Sequence, residues 1–323
     1  MVTKKNVGKY GGRQVVAYTI SEGDTEVEVW DLGARINAIR LSGTDIALGF
    51  NSPEGYFESD CYVGATIGRT ANRIAGGRAV IAGKPYFLPC NEGKNHLHGG
   101  FLGFDKRFFT AQVIPDGVVM TIVSEDGDMG YPGKLTMHVT FSLVGNELRI
   151  LYAAVSDRDT LWAPTCHAYF NLDGESSGSC GGNVLTLNAD KYTPVDDELI
   201  PTGESADVGG TRFDFRSPKP VGAEGSYDHN YILSSGAPAA VVSSQKTGIS
   251  MEVYTDMPCM QLYTGGMLHA AHGKHGAYGA GDGFCLEPQF MPNAVNLKGF
   301  EVPVLENGEA ANHYIAYKFT RRA

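Results

Sequence analysis

Acid–base chemistry needs ionisable groups whose surroundings push their pKa values toward the working pH, and two stretches of this chain offer them. In "PTCHAYFNLDG", His167 stands between Cys166 and the aromatic pair Tyr169 and Phe170. In "GFCLEPQFMP", Glu287 comes directly after Phe284-Cys285-Leu286 and before a proline. An apolar setting raises the pKa of a carboxylate, and a histidine sits close to neutral pH, so the two suit a joint role as general base and general acid. Each also has a plainer reading. His167 is then a core histidine with its hydrogen bonds satisfied, and Glu287 the end of a strand facing water, since ionisable groups are seldom buried without a reason.

Two histidine groups raise the question of a metal. In "KNHLHGG", His96 and His98 lie two residues apart and would project from one face of a strand. No glutamate follows before Glu125, however, and Asp105 is succeeded by Lys106 and Arg107, whose cations disfavour a divalent ion. His269, His272 and His275 in "HAAHGKHG" would align on a helix, but Gly273 and Gly276 argue for a solvated loop. No metal site is expected at either place.

Other polar groups fit a different ligand. Asn72 and Arg73 in "GRTANRIAGGR" form either a fork of donors or an exposed arginine beside the Gly76-Gly77 turn. Asp228 in "SYDHNYIL" and Gln261 in "MQLYTGG" sit among tyrosines. Polar groups interleaved with aromatic rings are the material of sugar sites, because ring faces cover the C–H side of a sugar. The chain has no Gly-x-Ser-x-Gly elbow, phosphate-binding glycine loop or nicotinamide fingerprint, so hydrolase and nucleotide readings lack their parts.

The elements that must position these residues read as strands. In "MHVTFSL", Met137, Val139, Phe141 and Leu143 alternate with polar neighbours, and after "VGNE" the run "LRILYAAV" returns as a hairpin. Residues 25–30, 118–124, 183–189, 249–255 and 313–319 give further strands, while "DLGARINAIRL" fits helix or strand equally. Two glycine-rich stretches, 174–183 and 269–283, read as loops. With 323 residues, 42% of them hydrophobic, and 42 glycines, the pattern predicts one large antiparallel all-β domain over 1–323, its sheets packed face to face.

The formal net charge of −10 comes without a basic patch, which speaks against a nucleic-acid partner. No run approaches the ~18 apolar residues of a membrane span, and the N-terminus shows no signal peptide. The six scattered cysteines contain no Cys-x-x-Cys pair and read as free thiols of a reducing compartment. A cytoplasmic location is the expectation.

Taken together, the stretches resemble the aldose 1-epimerases, also called galactose mutarotases. The matching pieces are "GRTANRIAGGR", "NHLHGGFLGFDKR", "SEDGDMGYPGKL", "HAYFNLDG", "YDHNY", "QLYTG" and "CLEPQFMPNAVN", in the family's order across most of the chain. The resemblance implies a single-domain β-supersandwich that interconverts the anomers of an aldose such as galactose or glucose without metal or cofactor. It implies that Glu287 is the general base at the anomeric hydroxyl and His167 the general acid at the ring oxygen. His98 would bind the sugar near that oxygen, and Asn72, Arg73, Asp228 and Gln261 would hold hydroxyls. Cys166, Cys259, Met260, Gly266 and Phe290 depart from the residues usual in the family. Two other readings share the fold: a hexose-6-phosphate epimerase, which needs extra cations, and a non-catalytic sugar-binding module, which would lose the acid or the base. Monomer and homodimer are both left open.

Overall fold

Alternation of apolar and polar side chains decides which face of each strand turns inward. In Leu135–Val144 the buried residues are Leu135, Met137, Val139, Phe141 and Leu143, and Glu147–Ser156 repeats the pattern with Leu148, Ile150, Tyr152 and Ala154. The two strands pair antiparallel across Gly145-Asn146, as the hairpin pattern predicts. In the computed structural model, which describes residues 1–322, the other expected strands appear as Thr25–Trp30, Gly117–Ser124, Val184–Leu187, Ile249–Thr255 and Ala310–Arg321. The ambiguous "DLGARINAIRL" is strand from Arg35 to Leu41. It is buried on both faces, which erases the alternation that would have marked it.

Three sheets dominate. Residues 2–45 form a five-stranded meander. A nine-stranded antiparallel sheet carries the long hairpin and the C-terminal strand Ala310–Arg321. A six-stranded sheet runs in the spatial order Tyr169–Phe170, Phe284–Gln289, Cys259–Tyr263, Asp228–Ile232, Lys191–Tyr192 and Ala206–Asp207. Met260 and Leu262 of its third strand, with Phe284 and Leu286 of its second, join one core with Val139, Ile150 and Tyr317 of the nine-stranded sheet. Val27 and Ile36 of the meander belong to the same core. The opposite face of the six-stranded sheet is thereby free to carry polar groups.

The glycine-rich stretch 269–283 has no strand, as expected, but it is not simply solvated. Lys274 turns inward, its Nζ 2.7 Å from an Asp45 carboxylate oxygen and donating to the carbonyls of Asn37 and Ala47. Its side chain is 5% exposed, because an ammonium with three good acceptors tolerates burial. His269 meets the carbonyl of Met267 and His275 meets Glu175, so the loop's histidines do not converge.

Arg69 fixes the segment that leads into Asn72 and Arg73. It is 2% exposed and donates to the carbonyls of Ser124, Glu125, Pro132 and Gly133 and to the hydroxyls of Ser124 and Thr160. Without it, these carbonyls lose their partner in a dry setting. Arg69→Ala is expected to lower the unfolding free energy by about 3 kcal/mol or more, measured by urea denaturation. Arg69→Lys should recover only a minor part, since one ammonium cannot span the same fork of acceptors.

Candidate active site

Strand register assembles the site. In Phe284–Gln289 the period of two sends Phe284 and Leu286 into the core and Cys285, Glu287 and Gln289 to the other face. On the neighbouring strands the same face carries Gln261 and Tyr263, then Asp228 and Asn230. Pairing sets these side chains in rows: Asn230 opposite Gln261 opposite Glu287, and Asp228 opposite Tyr263 opposite Cys285 opposite Tyr169. A slip of one residue would exchange the polar row for leucines and phenylalanine.

A second wall comes from Asn72, Arg73 and His98. Asn72 and His98 both have left-handed backbones, with φ of 61° and 50°, and they hold each other. The His98 N–H donates to the Asn72 carbonyl at 3.2 Å, and the Asn72 N–H donates to His98 Nδ1 at 3.2 Å. With Nδ1 accepting, a neutral His98 carries its proton on Nε2. Burial, His167 and Arg73 all push His98 well below the usual histidine pKa, so it is neutral. The next residue explains the glycine: at Gly99, φ 86°, a Cβ would lie 2.0 Å from the Gly68 carbonyl oxygen.

His96 does not share a face with His98, because the chain leaves the extended conformation at His98. His96 Nδ1 donates to the Pro89 carbonyl at 2.8 Å, and Nε2 accepts from the Tyr131 hydroxyl at 2.7 Å. That hydroxyl in turn accepts from Thr70 Oγ1 at 2.6 Å. Both ring nitrogens of His96 are therefore engaged, and its role is structural.

The two walls enclose a cleft of about 270 Å³ lined by all seven residues singled out in the sequence: Asn72, Arg73, His98, His167, Asp228, Gln261 and Glu287. That volume lies near the lower end of the range for small-molecule sites. His167 Nε2 and a Glu287 carboxyl oxygen stand 3.7 Å apart, both side chains almost wholly buried. Burial raises the Glu287 pKa well above the ordinary carboxylate range, and the Asp228 carboxylate adds to this, with Arg73 opposing. Burial pushes His167 down to about 4. Both groups are driven toward their neutral forms, so the pair holds one proton near neutral pH.

The sequence did not single out Tyr62, Glu92, Cys285 or Gln289. Tyr62 packs its ring 4.7 Å from that of His98 and 5.8 Å from that of His167. Glu92 takes the Arg73 guanidinium in a bidentate grip at 2.6 and 2.7 Å. Gln289 donates to Asn230 Oδ1 at 2.9 Å and to Gln261 Oε1 at 3.0 Å, and accepts from Asn72 Nδ2 at 3.4 Å. Gln261 then donates to Asp228 at 2.6 Å. Cys285 and Gln289 were legible as the same-face neighbours of Glu287, whereas nothing in the sequence marks Glu92. Cys285, His167 and Glu287 come close enough together to suggest a metal site. Cys285 Sγ lies 3.5 Å from Nδ1 and a Glu287 oxygen 3.7 Å from Nε2, so the two partners approach different nitrogens of one ring.

Cys166 and Cys259, which depart from the family pattern, are buried away from the cleft, and Phe290 packs its ring 5.0 Å from that of His313.

The family model for aldose 1-epimerase matches residues 16–318. The chain belongs to the aldose 1-epimerase family. A galactose mutarotase from Mus musculus is 41% identical over 326 residues, covering 96% of this chain and 95% of its own length. The crystal structure of an aldose epimerase homologue from C. elegans superposes with a TM-score of 0.88 at 29% identity, covering 94% of this chain and 98% of that one. A galactose 1-epimerase from Lactobacillus acidophilus gives a TM-score of 0.87 at 29% identity, covering 100% and 99%. The all-β sandwich and aldose 1-epimerase activity, an isomerisation of a small sugar, follow for this chain. Among the described residues no helix is long and apolar enough to cross a membrane.

Gln289→Leu keeps the volume but takes the partner from Asn72 Nδ2, Asn230 Oδ1 and Gln261 Oε1. The variant is expected to lose about 2–4 kcal/mol in denaturant unfolding. As the Gln261–Asp228 contact loosens, KM for the sugar should rise about tenfold with a smaller change in kcat.

Proposed function

We propose that the cleft interconverts the α and β anomers of a free hexose such as galactose or glucose. Glu287 takes the proton of the anomeric hydroxyl while His167 delivers one to the ring oxygen, and the ring opens to the aldehyde. Rotation about the bond to the neighbouring carbon presents the other face, and the two transfers reverse. The observation that carries this reading is the buried Glu287–His167 pair at 3.7 Å, set in the wall of the cleft. The two oxygens it would serve are bonded to one carbon, so the groups serving them must also be near neighbours. The pair with its one proton can alternate between carboxylate with imidazolium and carboxylic acid with imidazole, which is what opening and closing require.

His98 presents a fixed Nε2–H donor for the region of the ring oxygen. Asn72, Arg73, Asp228 and Gln261 hold hydroxyls, and this positioning adds to the rate by keeping the sugar in a reactive pose. The name of the mouse relative, galactose mutarotase, supports galactose as a substrate. The free state of all six cysteines supports a cytoplasmic enzyme, and the core shared by the three sheets supports one unit over 1–323.

Charge in the cleft argues against the phosphorylated-sugar alternative. Asp60, Glu92, Asp228 and Glu287 line it, against the single guanidinium of Arg73, which Glu92 already holds. A dianionic phosphate would meet net repulsion there. The non-catalytic alternative is disfavoured by the retention of both acid and base.

Freshly dissolved α-galactose and α-glucose followed by polarimetry are expected to equilibrate far faster with enzyme than in buffer, and glucose 6-phosphate much less so. Glu287→Gln and His167→Asn should each slow the reaction by roughly 10²–10⁴-fold. If wild type equilibrates the sugars no faster than buffer, the reading fails.

The pH profile of kcat/KM should be a bell. As pH falls, His167 takes a second proton and Glu287 has no vacancy for the sugar's proton. That limb belongs between His167's depressed value of about 4 and the ordinary 6.5. As pH rises past the raised pKa of Glu287, the last proton leaves and no acid remains, so the alkaline limb lies well above 4.5. An acid limb above 6.5 would contradict the assignment.

A further inference from the structure

The geometry points to Cys285 as a positioning residue for His167: its sulfur accepts the hydrogen on Nδ1, so that Nε2 is the nitrogen that exchanges a proton with the sugar. This rests on the reading of His167 as the acid. Cys285 Sγ lies 3.5 Å from His167 Nδ1, a normal separation for a hydrogen bond to sulfur, and the thiol is wholly buried. Strand pairing puts it there, since Cys285 faces Tyr169 across the sheet, two residues beyond His167, and stands two residues before Glu287.

The groups around the ring identify the direction of the bond. Glu287 faces Nε2, and Tyr62, His98, Tyr169 and Tyr263 surround the ring at centroid distances of 5.8, 5.4, 5.1 and 6.3 Å. Arg73 and Asp228 lie farther off, in the same cleft. When Glu287 carries the shared proton, it can return it only to an unprotonated Nε2, the ring nitrogen that faces it at 3.7 Å; the imidazole hydrogen is then on Nδ1, toward Cys285. When His167 carries it, both nitrogens are protonated and Nδ1–H still points at Cys285. After Nε2 releases its proton to the ring oxygen, Nδ1–H remains. In every state of the cycle Nδ1 carries a hydrogen that the sulfur can accept, alongside the backbone hydrogen bond that His167 makes to its own carbonyl. Burial keeps the thiol in its protonated form, so it acts as a weak, uncharged acceptor.

The choice of acceptor has a chemical consequence. Many enzymes place a carboxylate behind a working histidine, which stabilises the imidazolium and raises its basicity. A thiol gives orientation without that stabilisation. The imidazolium therefore holds its Nε2 proton weakly, as an acid serving an ether oxygen should.

Two measurements test this. In wild-type enzyme with 15N-labelled histidine, at a pH above the acid limb, His167 should show the shifts of a neutral ring protonated on Nδ1. A ring protonated on Nε2 alone would overturn the proposal whatever the activity is. Cys285→Asp, close in volume, should move the acid limb and the NMR titration of His167 up by one pH unit or more and lower kcat about tenfold or more, with KM little changed. Cys285→Ala, which removes the acceptor without adding charge, should leave the limb within about 0.3 unit while kcat falls about threefold or more, because the ring loses its fixed tautomer. Equal limb shifts in both variants, or none in a folded Cys285→Asp, would also overturn it. Polarimetry of the wild type separately reports on the parent reading, so failure of one is distinguishable from failure of the other.

Discussion

A carboxyl group buried with no lysine or arginine in contact is the constraint around which this molecule is built. Glu287 is 3% exposed, and burial raises its pKa more than any other influence. A base strong enough to take a sugar hydroxyl's proton needs that elevation. The nearest guanidinium, Arg73, pulls the other way, and it is Glu92 that limits the pull. With its fork closed on Glu92 at 2.6 and 2.7 Å, Arg73 can still donate to a hydroxyl, but its charge is largely balanced before it reaches Glu287. Asp228, on the far side, raises the Glu287 pKa further. The cleft thus keeps one basic side chain without letting it neutralise Glu287.

Holding such a group in place is the work of the six-stranded sheet. Register alone brings Asn230, Gln261 and Glu287 abreast. Polar side chains in that position would be costly if left to find water, and they are instead satisfied among themselves through Gln289 and Asp228. The opposite face, with Met260, Leu262, Phe284 and Leu286, is locked into the main core. Each cleft-facing side chain on this sheet is therefore carried by a backbone that cannot slide.

Much of this was legible from residue pattern. The hairpin at 135–156 follows from clean alternation, because one of its faces meets the core and the other meets water. The stretch 31–41 was not legible, since a strand covered on both faces shows no period. The family motifs carried all seven chosen residues into one cleft, yet their partners escaped. Glu92 lies in a loop and makes its contact across 19 residues, and no local rule marks it. Lys274 escaped for a similar reason: its acceptors, Asn37, Asp45 and Ala47, come from the other end of the chain.

The pair His96 and His98 shows how far local pattern reaches. Spacing of two predicts a common face only while the chain stays extended, and it does so at His96–Leu97. At His98 the backbone turns left-handed, and Gly99 continues at φ 86° because the Gly68 carbonyl leaves no space for a Cβ. The turn throws His98 toward the cleft and leaves His96 behind, bonded to Pro89 and Tyr131. Tyr131 also lies under the Arg69 guanidinium, 5.6 Å from its ring centre. Thr70, which donates to Tyr131, directly follows Arg69 and precedes Asn72 by two residues. His96 thus helps anchor the segment that carries Asn72 and Arg73, and the two histidines of one short motif serve one wall of the cleft: His96 supports it from behind, and His98 faces the cleft.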